Sequence, residues 1–144
     1  MELTKQFTWN GLKISTPADW LDETEEEDQE DGPFSLGKEE GISVLQFMPV
    51  VFGEDAPEEI RPEHLNELVE EFLEENDFAP LDGLHESYGA FMTAYTDTRD
   101  DEYFVRAWMC TNGTEVVLVT YYCEFGDHEA ELAEAIEIVR ALEM

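Results

Sequence analysis

Apolar residues recur with two different periods along this chain, and the changes of period divide it into elements. Residues 3–9 and 12–16 read as short strands around Asn10-Gly11. Pro17 and the segment to Trp20 leave that sheet, and the acidic stretch behind them reads as a loop. Phe34-Ser35-Leu36, a turn from Gly37 to Gly41, and Ile42 to Met48 predict a second hairpin. Residues 49–61, with Pro49, Gly53 and Pro57, form a connection. The period then becomes helical. Pro62 suits a first turn, and Leu65, Leu68, Val69, Phe72 and Leu73 make one apolar stripe on a helix that ends near Asn76. A loop with Pro80 and Gly83 leads to three strands at about 86–97, 103–111 and 115–123. Asp127 is placed to cap a last helix, whose Leu132, Ile136, Val139 and Leu142 face the core. These elements predict a single α+β domain over residues 1–144, an antiparallel sheet of about six to seven strands with two main helices packed on it.

The pair Asn112-Gly113 predicts a register. Asn-Gly between strands favours a two-residue type I′ turn, which pairs residue 111 with 114. Tyr103 then faces Tyr122, Val105 faces Thr120, Ala107 faces Leu118 and Met109 faces Val116, an apolar face expected under the helices. The opposite face sets Phe104 against Tyr121, Arg106 against Val119 and Trp108 against Val117. In that register Cys110 and Cys123 lie eight residues apart along the hairpin, roughly 26 Å at the usual strand rise. That is too far for a disulfide, and two buried free thiols are expected.

Composition narrows the function classes. Apolar residues make up 42% and aromatics 12%, enough for a folded core. Against 7 Lys and Arg stand 37 Asp and Glu, a formal net charge of -30. The excess is uneven. Residues 1–21 are neutral, residues 22–31 (DETEEEDQED) hold eight acids and no base, and residues 49–82 hold twelve acids against Arg61 alone. Such a surface repels nucleic acid and anionic membrane and attracts basic partners. The opening residues show no secretory signal and no run is long enough to span a bilayer, so a cytoplasmic location is expected.

Gly32 to Glu39 approaches a phosphate-binding loop, but Glu39 stands where a hydroxyl is required, and neither a preceding strand nor a following helix is predicted. Asp31-Gly32 would set Lys38 at the position where a calcium loop needs a bidentate Glu. The turn Asp97 to Glu102 gathers carboxylates without the required Gly. His64, His85 and His128 match no zinc spacing; His64–Glu67 and His128–Glu131 read as helical neighbours. No metal, cofactor or catalytic activity is therefore expected.

The first helix carries the most specific signal. Glu63, Glu67, Glu71 and Glu75 follow one another four residues apart, with Glu70 and Glu74 beside them. Each like-charge pair at that spacing costs ~0.2–0.5 kcal/mol, and no Lys offsets them. A docked basic surface would compensate this repulsion, and so would high intracellular salt.

The run Trp9-Asn10-Gly11-Leu12-Lys13-Ile14-Ser15-Thr16-Pro17-Ala18-Asp19-Trp20 resembles the start of Mog/PsbP/DcrB-like domains, where a strand of the form I-S-x-P follows a Gly-containing turn and runs on to a Trp. The element order is also similar. The resemblance implies an antiparallel sheet flanked by helices and a non-enzymatic binding role, including chaperones of secreted toxins that hold apolar client segments on a sheet face. The face with Phe104, Trp108, Val117, Val119 and Tyr121 is one place for such a client; core packing is the other reading of it.

Together these readings predict an acidic, non-catalytic protein that neutralises or escorts a basic protein, as toxin-immunity proteins and secretion chaperones do. Glu63, Glu67, Glu70, Glu71, Glu74 and Glu75, with Glu25, Glu26, Glu27 and Asp28 of the acidic loop, would supply the charge. Phe104, Trp108 and Tyr121 would supply the anchors. Alternatives are a nucleic-acid mimic, a salt-adapted housekeeping domain, and a small enzyme with an unrecognised site.

Overall fold

Gly11 turns the chain at a φ of +79°, a conformation that costs glycine nothing, and Trp9 pairs directly with Leu12 across it. This is the first hairpin, β1 (Lys5–Trp9) and β2 (Leu12–Thr16), which forms a two-stranded sheet of its own. The computed structural model describes residues 3–9, 11–24, 34–38, 43–50, 60–76, 85–88, 92–99, 102–111, 116–124 and 129–143. The acidic stretch 25–33, the connection 51–59, Asn112-Gly113 and Asp127 fall outside them.

Behind Pro17 the chain enters the main sheet earlier than its sequence suggests. Trp20–Asp22 is a strand, β3, paired antiparallel with β4 (Phe34–Lys38). The predicted turn at Gly37 begins later, because Gly37 and Lys38 still pair with Leu21 and Trp20. Next come β5 (Ser43–Val50), α1 (Pro62–Glu75), β6 (His85–Tyr88), β7 (Met92–Arg99), β8 (Tyr103–Thr111), β9 (Val116–Glu124) and α2 (Glu129–Arg140). The strand expected at 86–97 is thus two strands. Tyr88 pairs with Met92, so the chain reverses between the two. Among the described residues the main sheet is antiparallel, with seven strands in the order β3-β4-β5-β9-β8-β7-β6. Both of its edges are short: three residues in β3 and four in β6.

The β8–β9 register differs from the Asn-Gly expectation. Thr111 pairs with Val116, so four residues separate the strands, not two. Val105 faces Tyr122, Ala107 faces Thr120, Met109 faces Leu118, and Trp108 faces Val119. The slip is of two positions, an even number, so every side chain keeps its predicted face while each partner changes. Cys110 now lies opposite Val117 and Cys123 opposite Phe104, six residues apart along the hairpin, or roughly 20 Å. Both thiols are free and buried.

The two helices occupy opposite faces of the sheet. On one face α1 sets Leu65, Val69, Phe72 and Leu73 against Ala94, Ala107 and Met109. On the other, α2 sets Ala135, Ile138 and Val139 into a cluster with Phe104, Trp108, Val119 and Tyr121, and the β1–β2 hairpin closes it with Leu12 and Ile14. The hairpin is joined by rings: Trp9 stacks on Phe34 at 6.4 Å, and Phe7 meets Phe34 at 5.8 Å. The chain end returns to β2, where Lys13 N–H donates to the Glu143 carbonyl and Glu143 N–H donates to the Lys13 carbonyl. The expectation that both helices cover the Val105–Met109 face is therefore corrected. Both faces of β8 and β9 are apolar, and each recruits one helix.

Candidate functional site

The apolar stripe of α1 fixes where its charges point. With Leu65 and Val69 buried on the sheet, Glu63, Glu67, Glu70, Glu71, Glu74 and Glu75 are all exposed. At the N-terminus the Arg61 N–H donates to Nδ1 of His64 at 2.9 Å, so the imidazole caps the helix and is not simply the exposed neighbour of Glu67. At the C-terminus Asn76 donates from Nδ2 to the Phe72 carbonyl at 2.9 Å. No basic residue stands in the last turn, where Glu74 and Glu75 face the negative end of the helix dipole. The six carboxylates are thus repelled by one another, and Glu74 and Glu75 by the helix end as well, while Glu63 in the first turn is favoured by the dipole. Among the described residues of the predicted site, these six are the ones brought together on a surface.

The predicted anchors lie elsewhere. Phe104 and Trp108 are 3% exposed and Tyr121 is fully buried, all within the core between the sheet, α2 and the β1–β2 hairpin. They present no surface to a partner, because the face that carries them is the one α2 and the hairpin cover. Glu25, Glu26, Glu27 and Asp28 lie outside the described residues.

The same covered face holds polar groups that spacing alone did not reveal. Arg106 of β8 pairs across the ladder with Asp97 of β7, donating from Nη2 to Oδ2 at 2.9 Å and from Nε to Oδ1. Its guanidinium carbon lies 4.9 Å from the Tyr95 ring centre and 5.7 Å from that of Trp108. Asp97, the first carboxylate of the 97–102 turn, is engaged by this arginine. Lys38, the lysine of the phosphate-loop-like run, sits in β4 and bridges Asp19 at 3.3 Å and Glu134. Burial pulls the Lys38 ammonium down, and the two carboxylates outweigh it and leave its pKa raised. In the interior, Ser43 Oγ donates to the buried Glu131 carboxylate at 2.8 Å and ties β5 to the first turn of α2.

Two further buried groups, Cys110 and Tyr121, are held in their protonated forms and so are poor nucleophiles. Burial pushes the Cys110 thiol up to about 12, against a partly opposing hydrogen bond with Thr93. Burial likewise raises the Tyr121 hydroxyl, with Cys123 and Glu131 adding to it and Ser43 opposing. In the unfolded chain the Cys110 thiol ionises near 9.0 and in the native protein only near 12, so stability falls as pH rises above 9.0. Accordingly Cys110 and Cys123 should react with an aromatic disulfide reagent at least about a hundredfold more slowly in native protein than in urea. A fast native burst would show that the thiols are accessible.

Among the described residues no group of three or more His, Cys, Asp or Glu is gathered for a metal ion, and no helix is long and apolar enough to cross a membrane. No protein-family model and no curated protein matches the chain. Among the solved structures that match it is a protein of Bacteroides thetaiotaomicron VPI-5482 determined at 1.50 Å. It superposes over 99% of this chain with a TM-score of 0.64 at 17% identity. The likeness is one of fold. This chain spans about half of that one, 48% of its length.

Proposed function

We propose that this protein is a non-catalytic acidic binding protein whose α1 surface docks a basic protein partner, in the manner of an immunity protein or a secretion chaperone that neutralises or escorts it. The observation that carries this reading is the row of six exposed carboxylates on a helix with no cation beyond its first turn. A basic partner turns their mutual repulsion into attraction and is steered to the surface by the field. The Mog/PsbP/DcrB-like resemblance is compatible with this role: the chain has the antiparallel sheet and flanking helices that it implies, though its covered aromatic face leaves no room there for a client.

The acids also favour a second reading. Asp22, Glu102, Glu124, Glu137 and Glu143 are exposed as well, away from α1. Carboxylates on both sides of the sheet fit a salt-adapted surface, and they speak against a nucleic-acid mimic, which needs one ordered row. The two surviving readings separate in one experiment, with a short oligolysine as the probe. Its association rate should fall by roughly ten- to a thousandfold between low salt and about 1 M. Glu67→Gln/Glu71→Gln/Glu75→Gln should slow association about tenfold at low salt, and Glu124→Gln/Glu137→Gln/Glu143→Gln less than about twofold. Equal effects of the two triple variants, with stability rising in salt equally for both, would favour salt adaptation over docking.

A further inference from the structure

The cations of the main sheet are all on one side. Lys38, Arg99 and Arg106 fall on the α2 face, where Lys38 meets Glu134 of α2 and Arg106 meets Asp97. Among the described residues, the strands place no Lys or Arg on the α1 face. Among the described residues, α1 covers only half of that face. α1 packs on β7 and β8, and its cluster takes in Val50 and Val116 at one end of β5 and β9. Beyond them the β5–β9 ladder continues through Met48–Leu118, Gln46–Thr120 and Val44–Tyr122. Here Val44 and Met48 are each 37% exposed, Leu118 and Tyr122 are half-buried, and Tyr103 stands exposed at the adjoining end of β8.

Carboxylates border this strip, apolar but for Gln46 and Thr120 at its centre, on both sides. On the β3–β4 side the Glu23 carboxylate lies over Gly37, so close that a Cβ on residue 37 would meet it at 2.5 Å. On the other side stands α1, whose half-buried Leu68 joins the same cluster as Leu118. Glu71 and Glu75 follow Leu68 by three and seven residues, and so share its flank of the helix. The width also matters. Two strands span about 10 Å and a helix with its side chains about 10–12 Å, so β5 and β9 offer the seat of one helix beside α1.

We infer that the β5–β9 half of the α1 face binds a cationic amphipathic helix of the partner protein. Its apolar side lies on Val44, Met48, Leu118 and Tyr122, and its lysines and arginines reach Glu71 and Glu75 on one side and Glu23 on the other. Charge decides the occupant: a second copy of this chain, itself at -30, or an anionic membrane would be repelled from a strip edged with carboxylates. This inference rests on the docking reading above and names the partner's chemistry.

The test uses the full chain and two synthetic peptides of leucine and lysine with identical composition, one amphipathic as a helix and one scrambled. Titration should show the amphipathic peptide binding at least about tenfold tighter than the scrambled one. Val44→Thr/Met48→Gln, both at exposed positions, should abolish that preference while a thermal melt shows the fold intact. Glu67→Gln/Glu71→Gln/Glu75→Gln should weaken both peptides alike. A preference that survives Val44→Thr/Met48→Gln would overturn the strip as the site and leave the α1 reading standing. Unchanged binding of both peptides by the α1 variant would instead remove the α1 reading. Sedimentation showing a dimer that Val44→Thr/Met48→Gln dissociates would assign the strip to a second copy and overturn the proposal.

Discussion

Trp20→Ala is expected to destabilise the protein by about 3–5 kcal/mol, a large share of the roughly 5–15 kcal/mol that holds a domain of this size together. Trp20 is the first residue of β3 and is fully buried. Its cluster joins the sheet to the hairpin and to α2 through Leu12, Leu36, Ile138 and Leu142. Its backbone is held too, since Lys5 Nζ donates to the Trp20 carbonyl at 2.9 Å. Deleting the indole therefore opens a void where three layers meet. The indole N–H, however, has no hydrogen-bond partner among the described residues. Trp20→Phe removes that buried donor along with part of the ring, so its cost should be smaller, about 1–2 kcal/mol. Urea unfolding followed by circular dichroism checks both. An alanine variant within 1 kcal/mol of the parent would mean that the layers are not coupled through this residue.

The second large effect concerns Arg106 and Asp97. Their side chains are 14% and 18% exposed, and the pair is bidentate. Asp97→Ala leaves a mostly buried guanidinium between two rings without its counter-charge, and is expected to cost about 2–4 kcal/mol. Replacing both members by apolar residues, Asp97→Leu with Arg106→Met, removes the stranded charge together with its partner. The double variant should then be more stable than Asp97→Ala, with a coupling of about 1–3 kcal/mol in a double-mutant cycle. Additive losses would show that the two residues act independently and that the arginine is held by the rings alone.

Much of the fold is written locally. Pro62, the Leu65–Leu73 stripe and Asn76 bound α1 as their chemistry requires, and the strands at 12–16, 103–111 and 116–124 stand close to where alternation puts them. What stayed hidden depends on contacts distant in sequence. Trp9 pairs with Leu12 around the first Asn-Gly, whereas around the second the last pair is Thr111 with Val116; the ladder with β5 and β7 on either side outweighs a turn preference. β3 is too short to show a period and exists because β4 offers it an edge. Neither helix reveals which side of the sheet it takes, since β8 and β9 are apolar on both sides. The site divides the same way. The carboxylates of α1 were legible because an apolar stripe defines its own opposite face. Phe104, Trp108 and Tyr121 were not assignable, because an aromatic strand face reads alike whether a client, a helix or a hairpin covers it. The Arg106–Asp97 pair needed the β7–β8 register, which no turn residue specifies.

The short edges of the main sheet bear on what happens when such molecules crowd together. A long open strand is a template on which another chain can add its own, and that route leads from native protein to fibres. Here, among the described residues, the edge strands are only Trp20–Asp22 at one end and His85–Tyr88 at the other, too little ladder to recruit a neighbour. The apolar strip on β5 and β9 lies inland of both rims. The sheet can thus keep a sticky surface for a chosen guest while denying its own kind a place to begin stacking.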